Sequence, residues 1–339
     1  MTTSSTTQTA DATAPFTLSR DLPVSPEEAF ALVTEPERLR RWKSVSATVD
    51  LRAGGAYRFT VTPGHIVSGT YRVVEPGRRV VFGWGWEGDE SLPPDASTVT
   101  VTIEPIETGS RVTIEHAGLD AQQAAAHATG WVHFVDRLER LATTGDAGPD
   151  EWAAVPDPMD PLTAAEACLA ALQPLLRSLT PEDQPKPTPC AEFTCHQVAV
   201  HLMDSLRDVG GMAGAEVVRP EAGGLEVKVS EMADQAIAAW RTRGLEGSVT
   251  LASGYEFPAA TAAALLAIEL MLHGWDLAEG SGRRLVVAEP LVAYVRSLAE
   301  DVIPGGRGRT FGDEVEPGGA ADALERFAAY AGRSPMSAA

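Results

Sequence analysis

The hydrophobic period of this chain changes near residue 145, and that change constrains its fold more than any other feature. Upstream, "AYRFTVTP", "VSGTYRVVEP", "RRVVFGWGWE", "STVTVTIEPIE" and "SRVTIEHAG" are short, alternating and rich in Val, Thr and aromatics, with Gly or Pro turns between them. A period of two describes the strands of an antiparallel meander. Ahead of them, "VSPEEAFALVTEPERLRRW" predicts a helix capped by Ser25 with Pro26 in its first turn, then a short helix from Pro36. After them, "AQQAAAHATGWVHFVDRLERLATT" sets Trp131, Phe134, Val135 and Leu138 at helical spacing. This long helix is the natural cover for the concave face of a curved sheet, so the first half reads as α+β.

A turn-dense linker, "TGDAGPDEWAAVPDPMDP", separates that half from five helical stretches. They are "LTAAEACLAALQPLLRSLT", "TCHQVAVHLMDSLRDVGGMAG", "EVKVSEMADQAIAAWRTRG", "PAATAAALLAIELMLHGWDLAEGSG" and "EPLVAYVRSLAEDVI". The first four predict an up-and-down, all-α four-helix bundle, with "SVTLASGYEFP" as a small hairpin on its rim. At 339 residues two domains are expected: a tail over 1–14, an α+β domain over 15–145, a linker over 146–160 and a helical domain over 161–335.

A net charge of -20 opposes binding to a phosphate backbone, so nucleic acid is not an expected partner. No apolar run is read as approaching the length of a membrane span, and the small polar residues of 1–14 form a flexible tail rather than a signal peptide. Cys168, Cys190 and Cys195 are few and odd in number, which suits a reducing compartment and small packing roles, and a cytoplasmic location is expected.

Within "LLAIELMLHGWDLAEG", Glu269 and His273 lie four apart in an otherwise apolar helix and therefore project side by side. Both are costly to bury unpaired, and a divalent cation would offset that cost by taking them as ligands. On spacing alone, such a pair is more often an ion pair or a satisfied hydrogen bond than a metal site. A third ligand would come from the histidines of the helical half, where His201 lies inside a helix and His196 only in its first turn, beside the N-cap Thr194. The separation of His201 from Glu269 suits two helices facing each other across an intervening one.

Three stretches of the helical half, "TPCAEFTCHQVAVHL", "ELMLHGWDLAEGSG" and "TFGDEVEPGGAADALERFAAYAGRSP", occur in an order that resembles the metal-binding domain of mycothiol-dependent maleylpyruvate isomerases. That domain belongs to the wider DinB-like four-helix bundle superfamily, and the resemblance runs from about residue 160 to 335. It implies one histidine ligand from the second helix and a Glu and a His from the fourth, which fall on His201, Glu269 and His273. Zinc is the metal it implies first, with nickel or another divalent ion as alternatives. It further implies that the metal binds a low-molecular-weight thiol such as mycothiol and makes it a thiolate near neutral pH. No second C-terminal domain for maleylpyruvate is apparent, a departure from the full isomerase. Beside the ligands, Trp275 reads as a core aromatic and Asp276 as a cap or a carboxylate orienting a ligand imidazole, with His201 the contact of interest.

The first half resembles the helix-grip superfamily (SRPBCC, START-like), in particular its Hsp90 ATPase activator-like branch, through "VSPEEAFALVTEPERLRRW", "LRAGGAYRF", "GTYRVVEPGRRVVFGW" and "GWVHFVDRLERL". The resemblance implies a cavity between sheet and long helix for a hydrophobic small molecule, with Trp42, Phe59, Trp84, Trp86, Trp131 and Phe134 as candidate walls. His65, His116 and His133 are candidates to point inward or to face solvent. Taken together, the expectation is a metal-dependent thiol transferase or isomerase-like enzyme acting on a small electrophile. The alternative is a non-catalytic binding and sequestration protein with a structural metal; a homodimer is an open arrangement in either case.

Overall fold

The computed structural model describes residues 14–190, 193–250 and 256–336. Two compact units emerge: described residues up to Val61 together with His65–Gly148, and Thr62–Gly64 with the residues from Pro149 onward.

The first unit begins with β1 (Phe16–Leu22), then α1 (Pro26–Thr34), α2 (Pro36–Leu39), β2 (Ser46–Val49), β3 (Ala56–Thr62), β4 (His65–Glu75), β5 (Arg79–Trp84), β6 (Ser97–Ile106), β7 (Gly109–Ala117) and α3 (Ala121–Thr144). Its seven-stranded sheet has the order β1-β7-β6-β5-β4-β3-β2, a meander whose far edge is closed by β1. Alternation along β6 and β7 sends Val99, Val101, Ile103, Val112, Ile114 and His116 inward. The concave face is covered by α3, which buries Trp131, Phe134, Val135, Leu138 and Leu141. Ser25 caps α1 and Pro26 occupies its first turn, as the sequence predicts. The sequence pattern predicts neither β1 nor β2. β1 is an edge strand with the charged pair Arg20 and Asp21, and Asp21 is held by a bidentate contact to its register partner Arg111 (2.7 and 2.9 Å).

In the second unit, α4 (Glu151–Ala154) and α5 (Pro161–Ser178) precede a 3-10 turn at Pro181–Asp183, and α6 (Cys195–Met212) and α7 (Leu225–Arg243) follow. A small hairpin of β8 (Ser248–Thr250) and β9 (Glu256–Pro258) leads into α8 (Ala259–Ser281). Then come α9 (Glu289–Ala299), α10 (Ile303–Gly306) and α11 (Ala323–Tyr330). Thr194 and Gln197 form a reciprocal capping box at the start of α6, which fixes where that helix begins. Helix α8 packs directly on both α5 and α6, and α7 packs on α6 and α5. Helices α6 and α8 thus face each other with α7 between them in the chain, as the separation of His201 from Glu269 suggests.

A correction concerns α8 itself. It is long and apolar enough by length and composition to cross a bilayer, yet 78% of its most apolar window is buried inside the bundle. Its hydrophobicity is that of a core helix packed on several sides. Gly280, near its C-terminal end, makes this packing close: a Cβ there would meet Pro187 O at 2.7 Å and Cys195 Sγ at 2.8 Å. Alanine is the better helix former by about 1 kcal/mol, so the outcome turns on whether the backbone oxygen can yield. Gly280→Ala is expected to destabilise the bundle by roughly 1–3 kcal/mol, read as a lower urea midpoint.

Candidate functional site

Glu269 and His273 sit on one side of α8, with Glu269 Oε2 3.1 Å from His273 Nε2. Helix α6 carries His201 to the same place, its Nε2 4.0 Å from that oxygen. The two imidazoles stand nearly perpendicular with centroids 4.9 Å apart. One donor atom from each residue lies within 4.8 Å of the others. His273 is buried, whereas the His201 side chain is 44% exposed, so the cluster opens to solvent on the α6 side. The ring of Phe193, which no sequence pattern singles out, lies 5.4 Å from that of His201.

Hydrogen bonds settle the tautomer of His273. Its Nδ1 lies 3.0 Å from Asp276 Oδ2, and the fully buried Asp276 also accepts from Arg333 Nε at 3.0 and 3.1 Å. Since a carboxylate can only accept, Nδ1 carries the proton and the Nε2 lone pair faces Glu269. Glu269 Oε2 is buried, and with Nε2 of His273 unprotonated it has no donor among the described residues, although that nitrogen lies 3.1 Å away. Two lone pairs facing each other at this distance call for a cation, either a proton or a metal ion. With the proton there, burial opposes the imidazolium, but the Glu269 and Asp276 carboxylates outweigh it and hold the His273 pKa up at about 9. Burial likewise opposes the Glu269 carboxylate, and His273 outweighs it, bringing Glu269 down to about 2. His201 is shifted the other way, lowered by burial and by His273, which keeps its ring neutral and able to ligate.

Two imidazole nitrogens and one carboxylate oxygen are a donor set that suits zinc and its divalent neighbours. The orphaned Oε2 is the observation that makes these residues fit such an ion. The expected contact of Asp276 with His201 is corrected: residues three apart on a helix are neighbours, so Asp276 holds His273 instead. Arg333 completes this support from 57 positions downstream; its only trace in the sequence is the "GRSP" ending. Asp276→Asn is expected to weaken metal binding about 10- to 100-fold without removing a ligand, measured by competition with a chromophoric chelator. Trp275 is buried in the bundle, as a core aromatic.

In the first unit, Trp42, Phe59, Trp84, Trp131 and Phe134 are all buried in one core, with Trp86 partly buried against it. His65 is exposed, His133 half-buried and His116 fully buried. His116 Nδ1 accepts from Trp131 Nε1 (3.1 Å), and its Nε2 donates to Ser97 Oγ (2.8 Å), which in turn donates to Trp84 O. His127, absent from the sequence-based candidates, donates from Nδ1 to Gln123 O and accepts at Nε2 from the indoles of Trp84 and Trp86 (3.3 and 3.2 Å). Burial lowers the pKa of both rings, and His116 falls to about 3. Lys43 is likewise absent from those candidates. Its Nζ lies over four rings, Phe59 (4.6 Å), Trp84 (4.9 Å), Trp131 (5.2 Å) and Phe82 (5.7 Å), and the residue is 4% exposed. The available clue is compositional: lysine occurs only at 43, 186 and 228, and Lys43 follows a tryptophan ahead of an apolar strand.

Residues 23–143 match the family described as "Activator of Hsp90 ATPase homolog 1-like protein", and residues 165–252 match the "Mycothiol maleylpyruvate isomerase N-terminal domain". The chain joins a helix-grip domain to a DinB-like helical domain. The second match includes His201 and ends before Glu269 and His273. Among curated proteins, the uncharacterized protein Rv0738 of Mycobacterium tuberculosis is 27% identical over 186 residues, covering 52% of this chain and 99% of that protein. Among solved structures, DynU16, described as a putative protein in the dynemicin biosynthetic locus, is 23% identical with a TM-score of 0.36. That match covers 40% of this chain and 49% of DynU16, so this chain spans about half the length of that relative. The Aha1 dimer from Colwellia psychrerythraea is 18% identical with a TM-score of 0.36, covering 39% of this chain and 98% of that one.

Proposed function

We propose that this chain is a divalent-metal-binding protein that presents a low-molecular-weight thiol to a small electrophile, as a thiol transferase or isomerase-like enzyme, and that its helix-grip half captures a hydrophobic small molecule. The observation that carries the reading is the convergence of His201, Glu269 and His273 around a buried carboxylate oxygen, 3.1 Å from His273 Nε2 and 4.0 Å from His201 Nε2. The family match over residues 165–252 supports the thiol, and mycothiol is the first candidate. We take the functional division of the chain to be a tail over 1–14, a ligand-binding domain over 15–145, a linker over 146–160 and a metal-binding domain over 161–335.

Zinc, or another divalent ion held here, would supply Lewis acidity that lowers the pKa of a thiol bound to it. The chain's own residues do the rest. Asp276, anchored by Arg333, fixes the ring of His273 and keeps its Nε2 aimed at the centre. Glu269 contributes the charge that holds a cation, and the half-exposed His201 marks the side from which a thiol arrives.

Metal analysis of protein purified without added metal, followed by thiol-dependent consumption of an electrophile such as a chlorodinitrobenzene, tests this. Turnover that vanishes in His201→Ala while the fold persists supports the enzyme. Metal binding with no turnover supports the second reading, sequestration of a small molecule with a structural metal. In either reading the helix-grip half binds a small molecule, and the amine of Lys43, buried over four rings without a carboxylate partner among the described residues, is a group such a ligand could meet.

A further inference from the structure

Lysine is almost never buried without a counter-charge, because its ammonium loses water and gains nothing in return. Lys43 departs from this. Its backbone N–H is fixed to Leu39 O (2.9 Å) just past α2, which turns the side chain under the sheet. Nζ there stands over four ring faces and is close enough to His116 to help lower the pKa of that imidazole, and no carboxylate pairs with it among the described residues.

The polar groups around it are already committed. Both nitrogens of His116 and both of His127 are used, as are the indole N–H groups of Trp84, Trp86 and Trp131, and Tyr57 donates to Gly83 O (2.6 Å). Among the described residues no carboxylate pairs with the amine, so only the ring faces offset the hydration an ammonium would lose, and burial shifts the balance toward the neutral amine. Over this region α3 contributes His127, which holds Trp84 and Trp86, among otherwise small or polar residues. Every buried residue of α3 lies at or beyond Trp131, and its first ten positions are mostly Ala, Gln, Thr and Gly. At Gly130 a Cβ would meet nothing within 4 Å.

We propose that Lys43 is an imine-forming amine, whose Nζ condenses reversibly with the carbonyl carbon of a small aromatic or apolar aldehyde or ketone seated among these rings. A C–N bond forms as the carbonyl π bond opens. The two amine hydrogens leave with the carbonyl oxygen as water, so no oxidant or reductant is consumed, and hydrolysis reverses the step. The inference deepens the reading of the helix-grip half as a capture domain and rests on it. Burial also brings the Lys43 pKa from 10.5 down to about 7, so the nucleophilic form is populated at neutral pH. Of the titratable groups in the same cluster, His116 on β7 and His127 on α3 are held neutral, and burial raises the hydroxyls of Tyr57 on β3 and Tyr71 on β4, leaving them protonated.

The test treats the full chain with benzaldehyde and sodium cyanoborohydride at pH 7 and maps the reduced adduct by peptide mass spectrometry over the three lysines. Lys43 is expected to label at least about tenfold faster than Lys186 or Lys228, and its rate to fall about fivefold or more between pH 7 and pH 5 as the amine is protonated. Labelling of Lys43 last, or no faster than the others, overturns the proposal. Lys43→Arg keeps a cation without the nucleophile and should abolish the fast adduct; fast labelling that persists in that variant also overturns it. Benzyl alcohol, which has the ring but no carbonyl, separates the two failures. Its retention in native mass spectrometry without an aldehyde adduct at Lys43 keeps the capture domain and removes the imine, and retention of neither removes both.

Discussion

Glu269→Ala is expected to leave the chain essentially metal-free after dialysis, where the parent retains about one divalent ion per chain. Outer partners of metal ligands cost about 10- to 100-fold in affinity when removed, and loss of a ligand from a set of three exceeds that range. Glu269 is the most sensitive of the three, because its buried Oε2 stands between both imidazoles and brings the negative charge. His273→Ala should follow closely. His201→Ala removes the half-exposed ligand, which water can replace, and is expected to retain weak binding. Affinity should also fall with pH. A proton occupies the position between His273 and Glu269 with a pKa of about 9, so below that value each bound ion must displace it. Metal content by plasma mass spectrometry after dialysis at pH 8 and at pH 6 checks both statements; equal loading in Glu269→Ala and parent would remove the proposed site.

The parts of this site that lie on one helix are legible in the sequence, because helical geometry alone brings residues four apart together. The spacing of Glu269 and His273 is enough to pair them. Position inside its helix favours His201 over His196 as the candidate third ligand, but only the resemblance points to a ligand role, since helix order does not state which helices touch. The support behind His273 is less accessible still. Asp276 stands out in the sequence but without a sign of which histidine it holds, and Arg333 arrives from beyond α11 by a contact that no local pattern encodes. The same division holds in the first unit. Strongly alternating β6 and β7 are readable, whereas β1, whose burial is partial and whose sequence carries Arg20 and Asp21, is not. His127 hides in an alanine-rich half-helix, and Lys43 in a turn, where neither period two nor period 3.6 applies.

Lys43→Met is expected to make the N-terminal unit more stable, an unusual direction for a core substitution. Methionine keeps the length and the packing against Phe59, Trp84 and Trp131 while removing the group that must be dehydrated. The sign of the pH dependence follows from linkage. The unfolded chain holds its proton up to about 10.5 and the folded chain only up to about 7, so between these values unfolding takes up a proton and stability rises with pH. The penalty is therefore greatest below pH 7, on the order of 5 kcal/mol, and it fades toward pH 10. The advantage of Lys43→Met should accordingly narrow by about 2 kcal/mol between pH 7 and pH 9. Urea titrations followed by tryptophan fluorescence, which reports on Trp84 and Trp131 beside the amine, measure this gap at the two pH values. A gap that stays constant would mean that the Lys43 amine titrates alike in the folded and unfolded chain; it would then not be desolvated, and the case for its reactivity would fall with it.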